Sequence, residues 1–367
     1  MNAPISIDIR GVQLLERILG PVRSQMRRMT ALTSRALSGY ARAFSTPARK
    51  SGQMQSQPGF APAPRPIFII GAPRSGTSIT TWALGQHPNI QPMPETAWIA
   101  VMAIAAQQAY IIGSERGRYS HLSNVGLPPE PFLRRIGEAV DKVVNDVFDE
   151  RCTRLHGNWR ALGNIRNEPD HPNPEMMLRR HSRDPKTRWV DGTPLNTEFA
   201  WGLATMFPEC RFLHLVRQPH EVVASLRNFD AVGGVRHDIN DAIQNWIDHT
   251  RQAFLAQRAL GAERVHVARF NELSADPRAF FGGILAFLGE DWSEDCLAPL
   301  GRKINSSNVE DEREKVREAV RNNDLYRKAE DLYRQVFEWT GEETDEAALD
   351  ELRTSTLRNA TGRRLIG

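Results

Sequence analysis

Residues 66–82 read Pro-Ile-Phe-Ile-Ile-Gly-Ala-Pro-Arg-Ser-Gly-Thr-Ser-Ile-Thr-Thr-Trp, and no other stretch constrains the fold as tightly. An apolar strand over Ile67–Ile70 runs into a loop bounded by Gly71 and Gly76, and the loop opens a helix. The first N–H groups of a helix have no intrahelical partner. Small residues at Ser75, Gly76, Thr77 and Ser78 therefore let the backbone wrap a phosphate or sulfate oxyanion.

The loop has the G-x-x-x-x-G spacing of a Walker loop, but Thr77 and Ser78 stand where Lys and Ser/Thr would follow. A nucleoside triphosphatase needs that lysine on the β- and γ-phosphates and a hydroxyl on Mg²⁺. Here the cation lies inside the loop, as Arg74, which suits a smaller terminal anion met from the loop side. A second strand, Phe212–Val216, ends at Arg217, and Ser225 follows eight residues later, two turns into a predicted helix. Arg217 and Ser225 can converge on another anion, so the chain predicts a nucleotide with two separated anionic groups.

Ile67–Ile70, Trp189-Val190, Phe212–Val216 and Val265–Ala268 are short apolar runs, each followed by a helical pattern. That alternation predicts an α/β fold of three layers, P-loop-like, with a central parallel sheet flanked by helices. Ligands of such sheets bind beyond the carboxyl ends of the strands, where Gly71, Asp191 and Arg217 fall. Helical patterns are also expected over Pro131–Phe148, over Asp238–Leu260 with Trp246, and in charged segments from Glu310 to Leu357. The organisation expected is a basic helical extension at 1–46, a linker at 47–65, the main domain at 66–310 with an insertion at 113–187, and C-terminal helices at 311–367.

The chain has 367 residues and 40% hydrophobic content, enough for a full core. Cys152, Cys210 and Cys296 are odd in number and lack metal-ligand spacing, which fits buried thiols in a reducing compartment. The apolar stretch from Trp98 to Ile112 is interrupted by Gln107 and Gln108 and falls short of the ~20 residues a bilayer needs. No uninterrupted apolar segment follows the N-terminus as a secretory signal would. Residues 1–64 hold nine Lys/Arg against Asp8 and Glu16, so +7 resides there and −4 in the remainder of a chain whose net charge is +3. The basic balance belongs to the extension and predicts no nucleic-acid partner for the core. Apolar positions in 1–46 recur at helical spacing with Arg28, Arg35 and Arg42 on another face, so this helix either lies on an anionic membrane surface or packs on the domain or a second subunit.

Taken together, Pro73-Arg74-Ser75-Gly76-Thr77-Ser78 and the Arg217/Ser225 pair resemble the sulfotransferases that use 3′-phosphoadenosine 5′-phosphosulfate (PAPS). The resemblance covers roughly residues 66–310 and is strongest to the bacterial branch and the related tyrosylprotein sulfotransferases. It implies that Arg74 with Ser75, Gly76, Thr77 and Ser78 holds the 5′-phosphosulfate, and that Arg217 and Ser225 hold the 3′-phosphate. The branch's catalytic glutamate follows a His-Pro turn; after His87-Pro88 it falls on Glu95, in Pro94-Glu95-Thr96. Ser306 and Ser307, in Asn305-Ser306-Ser307-Asn308, match the polar loop that closes over the nucleotide. Val265–Leu273 with Asp276-Pro277 and Phe287-Leu288-Gly289 match the strand, acidic turn and helix near the adenine, with Phe270 in place of a usual Tyr.

The implied reaction is in-line sulfuryl transfer to an acceptor hydroxyl, with Glu95 as general base, Arg74 and the loop N–H groups on the developing charge, and no metal. The acceptor is a small molecule, glycan or lipid, met in the 113–187 insertion and along the helix containing Trp246. A cytoplasmic bacterial enzyme is expected, membrane-associated if 1–46 binds lipid, and a homodimer is left open. One departure stands out. Many members carry a lysine in Lys-Thr-Pro, but Val190-Asp191-Gly192-Thr193-Pro194 has Gly192 at that position. Either Arg74 supplies the charge alone, or Lys186, Arg188 or Arg179 reaches in, or the protein is a weak or degenerate catalyst. His121, His156, His171 and His181 are alternative bases, Arg179-Arg180-His181 is a solvated run or an anion grip, and Glu95 could instead serve a helix N-terminus. Two other functions stay open: a P-loop kinase-like enzyme, and a noncatalytic nucleotide-binding protein.

Overall fold

The computed structural model describes residues 63–161, 181, 183–232, 234–301, 310–341, 344–363 and 365. The 1–46 extension, most of the 47–65 linker, Arg179, Arg180, His171, Ser306 and Ser307 lie outside the described residues.

Five strands, β1 (Ile67–Ile70), β2 (Ile90–Met93), β3 (Arg188–Asp191), β4 (Arg211–Val216) and β5 (Val265–Arg269), form one sheet in the order β2-β3-β1-β4-β5. Every pairing is parallel, with Phe68 opposite both Asp191 and Phe212. The helices are α1 (Thr77–Gly85), α2 (Trp98–Ser114), α3 (His121–Asn124), α4 (Pro129–His156), α5 (Ala200–Met206) and α6 (Pro219–Arg227). They continue as α7 (Ile239–Leu260), α8 (Phe270–Ala275), α9 (Pro277–Leu288), α10 (Glu310–Val320), α11 (Asp324–Glu338) and α12 (Glu346–Gly362). The predicted α/β layering with a central parallel sheet is what the chain adopts.

Three buried clusters hold the layers together. Phe68 and Phe212 on the sheet meet Trp189, Met206, Phe207 and α7, and α12 closes this face with Ala348, Leu352 and Leu357. On the other face Ile67, Ile69, Leu213 and Leu215 meet α1 and the α9 side chains Phe280, Phe281, Ile284 and Leu285. α6, α7, α10 and α11 share a third cluster around Trp246. Burial of such side chains contributes about 1.5–3 kcal/mol each. Cys152, Cys210 and Cys296 are buried thiols within these layers.

Several elements depart from the sequence reading. Helix α4 runs well beyond Phe148, because Val140, Val144, Phe148 and Cys152 extend one buried stripe and Trp189 Nε1 donates to Asp141 Oδ1 at 2.8 Å. Strand β2 was not expected, since Pro92 sits inside it. It is an edge strand, the place where a missing N–H costs no ladder bond, and the Pro92 ring packs so closely on α1 that a Cβ at Gly85 would lie 2.4 Å from it. Helix α7 begins where expected: Asp238 caps it by accepting the Asp241 N–H at 2.8 Å.

His214 lies in the interior of β4, fully buried, with Nδ1 3.2 Å from Gln257 Oε1. Burial drives its pKa down to about 4 against a smaller opposing effect of Gln257. In the unfolded chain a histidine binds its proton near pH 6.5, so between that pH and about 4 the unfolded state carries more protons and stability falls with pH. The full effect is roughly 3 kcal/mol. His214→Asn should flatten the decline in urea midpoint across this window, with a residual slope from His220 and His266, whose pKa values burial also lowers. An unchanged slope would locate the acid sensitivity elsewhere.

Candidate functional site

The carboxyl ends of all five strands deliver candidate residues to one edge of the sheet. The 71–76 loop leaves β1, Pro94–Thr96 leaves β2, Gly192-Thr193 leaves β3, Arg217 leaves β4 and Phe270 leaves β5. Strand order reverses around β1, which makes this edge the expected ligand crevice.

The loop after β1 depends on its glycines. Gly71 has φ +132°, and a Cβ there would lie 2.4 Å from the Leu215 carbonyl oxygen of β4. Gly76, at φ +98°, precedes α1, and a Cβ would lie 1.9 Å from the Phe270 ring. Phe270 thus serves as a shelf under the loop, a role independent of any hydroxyl. No side chain caps α1. Ser75 is wholly buried, and its Oγ has no partner among the described residues, nor do the hydroxyls of Thr80 and Thr81 on α1. An uncapped helix start beside an orphaned buried hydroxyl fits an oxyanion ligand.

The two arginines that the sequence assigns to separate anions are neighbours here. Arg74, in a left-handed conformation at φ 67°, donates from Nε to Ser225 Oγ at 3.0 Å. Arg217 donates from Nη1 to the Arg74 carbonyl oxygen at 3.1 Å and from Nε to Glu221 Oε2 at 2.7 Å, and its guanidinium lies 5.2 Å from the Phe270 ring centre. Burial first, and the Arg217 charge second, lower the Arg74 pKa. Burial opposes the charge of Glu221, but the hydrogen bond and charge of Arg217 outweigh it and hold that carboxyl below its usual range. Arg74, Arg217 and Ser225 therefore form one contiguous clamp, steadied by Glu221, which the sequence reading missed.

Glu95 follows β2 and is exposed on the crevice rim. Partial burial raises its carboxyl above the ordinary range, and the nearby Asp191 carboxylate raises it further. It does not lie in the first turn of α2 and does not cap it, so the helix-terminus alternative has no contact behind it. Thr96, the next residue, is fastened twice: its N–H donates to Thr193 Oγ1 at 2.8 Å and its hydroxyl to Asp191 Oδ2 at 2.7 Å. The sequence had pointed to Asp191-Gly192-Thr193 for the glycine and for the place of Asp191 at a strand end, not for this ring of hydrogen bonds.

Two proposed substitutes for the missing lysine are engaged elsewhere. Lys186 Nζ is buried and donates to the carbonyl oxygens of Gly85, His87 and Ile90 at 2.9, 2.8 and 2.8 Å. Arg188 is buried and donates to Arg65 O, Leu288 O and Glu290 Oε1. Both stitch the backbone at the opposite, amino end of β3, and the expectation that either reaches the crevice is corrected. At Gly192 a Cβ would fall 2.5 Å from Thr81 Oγ1, so the strand exit packs tightly on α1. Among the alternative bases, His121 and His156 lie at the ends of α3 and α4, and His181 Nδ1 accepts the Arg183 N–H. Among the described residues no group of three or more His, Cys, Asp or Glu is arranged to hold a metal, and no helix is long and apolar enough to cross a membrane.

Lys186→Met should lower unfolding stability by about 2–4 kcal/mol, because three buried carbonyls lose a charged donor. The urea midpoint reads the loss, and a midpoint unchanged by the substitution would show that the three bonds carry no such load and return Lys186 to the crevice.

A family model described as the sulfotransferase family matches residues 66–294. A protein-tyrosine sulfotransferase of Drosophila melanogaster is 23% identical over 234 residues, 63% of this chain and 39% of its own length. An uncharacterized protein of Aquifex aeolicus is 24% identical over 242 residues, 64% of this chain and 27% of its own. The chain thus spans well under half the length of either relative. Among solved structures, the sulfotransferase domain from the Synechococcus PCC 7002 olefin synthase superposes with a TM-score of 0.44 at 18% identity, covering 77% of this chain and 98% of that one.

Proposed function

The chain belongs to the sulfotransferase family, and from that premise we propose that it transfers a sulfuryl group from PAPS to an acceptor hydroxyl, with Glu95 as general base. The observation that carries the proposal is the meeting at one sheet edge of an anion loop, a two-arginine clamp and a carboxylate whose basicity is raised.

In this reading the acceptor oxygen attacks sulfur, its proton passes to the Glu95 carboxylate, and the bond between sulfur and the phosphate oxygen breaks. The products are a sulfate ester and adenosine 3′,5′-bisphosphate. A base raised above the ordinary carboxylate range takes that proton more readily. The N–H groups of the 75–78 segment and the buried Ser75 hydroxyl would receive the 5′-phosphosulfate, and each well-aimed donor to developing charge contributes about 3–4 kcal/mol. Arg217 and Ser225 would take the 3′-phosphate. Two adjacent guanidiniums, of which Arg217 is paired with Glu221, favour a dianion at that point, and the Arg74–Ser225 bond would open to admit it. Ser306 and Ser307 remain assigned to the closing loop by resemblance alone. We assign acceptor recognition to the 113–187 insertion; a small molecule, glycan or lipid would all present the required hydroxyl.

Glu95→Gln should cut turnover by at least 10²-fold and leave affinity for adenosine 3′,5′-bisphosphate within twofold, as read by calorimetry; retained turnover would remove Glu95 as the base. Binding without turnover in the unsubstituted protein, across phenol, sugar and aliphatic hydroxyl acceptors, would favour the noncatalytic reading that Gly192 raises. Arg217→Ala should weaken adenosine 3′,5′-bisphosphate at least 30-fold more than AMP. Equal losses would take Arg217 off the 3′-phosphate, and tighter binding of ATP with Mg²⁺ would revive the kinase-like reading.

A further inference from the structure

The segment Asp191–Thr197 touches both halves of the site. At its start, Asp191 Oδ1 accepts the Thr193 N–H at 2.9 Å and the Thr193 hydroxyl at 2.5 Å, while Oδ2 accepts the Thr96 hydroxyl at 2.7 Å. Thr193 Oγ1 in turn accepts the Thr96 N–H at 2.8 Å, closing a ring that fixes both polar groups of the residue next to Glu95. At its end, Thr197 Oγ1 lies 3.0 Å from the Gly71 N–H and 3.2 Å from the Gly71 carbonyl oxygen, where the anion loop begins. Between them the chain is a short 3-10 turn, Pro194–Thr197, whose Asn196 Nδ2 donates back to the Asp191 carbonyl oxygen at 3.1 Å.

We propose that Asp191, Thr193 and Thr197 form a spacer of fixed length that positions Glu95 relative to the anion loop, with Thr96 as the residue it grips. The proposal rests on the reading of Glu95 as the base.

Three observations separate this from ordinary loop packing. First, Ala97, directly after the gripped residue, has φ 46° and ψ −43°, a region a non-glycine residue keeps only when its surroundings impose it. The Thr96 ring lies immediately on its amino side. Second, donors from two strand exits converge on Asp191, which is wholly buried and whose pKa burial raises: its two carboxyl oxygens meet the hydroxyls of Thr96 and Thr193 and the Thr193 N–H, and no Lys or Arg among the described residues forms an ion pair with it. Third, the spacer's middle cannot drift: Gly192 lies against α1, and a Cβ there would meet Thr81 Oγ1 at 2.5 Å. Donor loop, α1 and base thus share one rigid connector, which is what an in-line displacement needs when a misplacement of 1 Å costs about 10²-fold in rate.

The test compares Thr96→Val, Thr96→Ser and Glu95→Gln in the full-length protein. Backbone amide hydrogen exchange over residues 94–98 reads the grip directly. Release of adenosine 3′,5′-bisphosphate from PAPS with water as acceptor reads catalysis without a known acceptor. Thr96→Val should speed exchange at these amides at least tenfold and slow release at least tenfold, leave the dissociation constant for adenosine 3′,5′-bisphosphate within twofold, and be restored by Thr96→Ser. Unchanged exchange in Thr96→Val overturns the spacer. So does faster exchange with unchanged release when Glu95→Gln itself slows release, and so does a loss of nucleotide affinity that Thr96→Ser fails to restore. If Glu95→Gln leaves release intact, the base reading falls by itself and the positioning claim falls with it, whatever the exchange data show.

Discussion

The site rests on the passage of β1 between β3 and β4. β1 is the middle strand, and where it ends the chain must cross the backbone of β4 at a distance that leaves 2.4 Å between any Cβ at position 71 and the Leu215 oxygen. A side chain there would force the two strands apart or turn the loop away. With glycine, the loop folds back over the sheet edge, α1 starts above the end of β1, and Phe270 from β5 comes under Gly76. Strand spacing, loop path and shelf are consequences of that one close approach.

Charge is distributed unevenly around this edge. On the β4 side, Arg74 and Arg217 stand together with Glu221 paired to Arg217, and the proximity of like charges is part of what lowers the Arg74 pKa. On the β2 and β3 side, Glu95 and Asp191 stand together, and their repulsion is part of what raises the Glu95 carboxyl. Each pair is uncomfortable alone. A dianionic ligand relieves the first, and transfer of a proton to Glu95 relieves the second, so both are better matched to a complex in which a group is moving than to the free protein.

The parts legible in the sequence were those in which one residue type has one physical use. Gly71 and Gly76 bracketed a loop after an apolar strand, a helical pattern set in at Asp238, and Arg217 ended a strand; each is found there. Strand β2 was hidden because Pro92 argues against a strand, and only the three-dimensional sheet makes it an edge. Lys186 and Arg188 were misread because a cation near a site in sequence looks available for it, whereas these two are consumed by backbone carbonyls and Glu290 at the other end of β3. The hydrogen-bonded ring around Asp191 was out of reach because its members come from positions 96 and 191–193, nearly a hundred residues apart, and nothing in a single sequence couples them.

Gly192 then acquires a different meaning from a lost lysine. A lysine at this position would place a positive charge next to Asp191, and a salt bridge there would cancel the field that Asp191 exerts on Glu95 and lower the basicity of that carboxylate. It would also need room that Thr81 now takes. With glycine, the exit of β3 closes onto α1, and Asp191 keeps its hydroxyl and amide donors beside Glu95. In the proposed reaction the cation on the transferring group would come from the loop itself, and Arg74, held at φ 67° with Nε on Ser225 Oγ, would leave that contact to supply it. In the proposed reaction, glycine at position 192 and the raised Glu95 carboxyl belong to one arrangement at the end of β3.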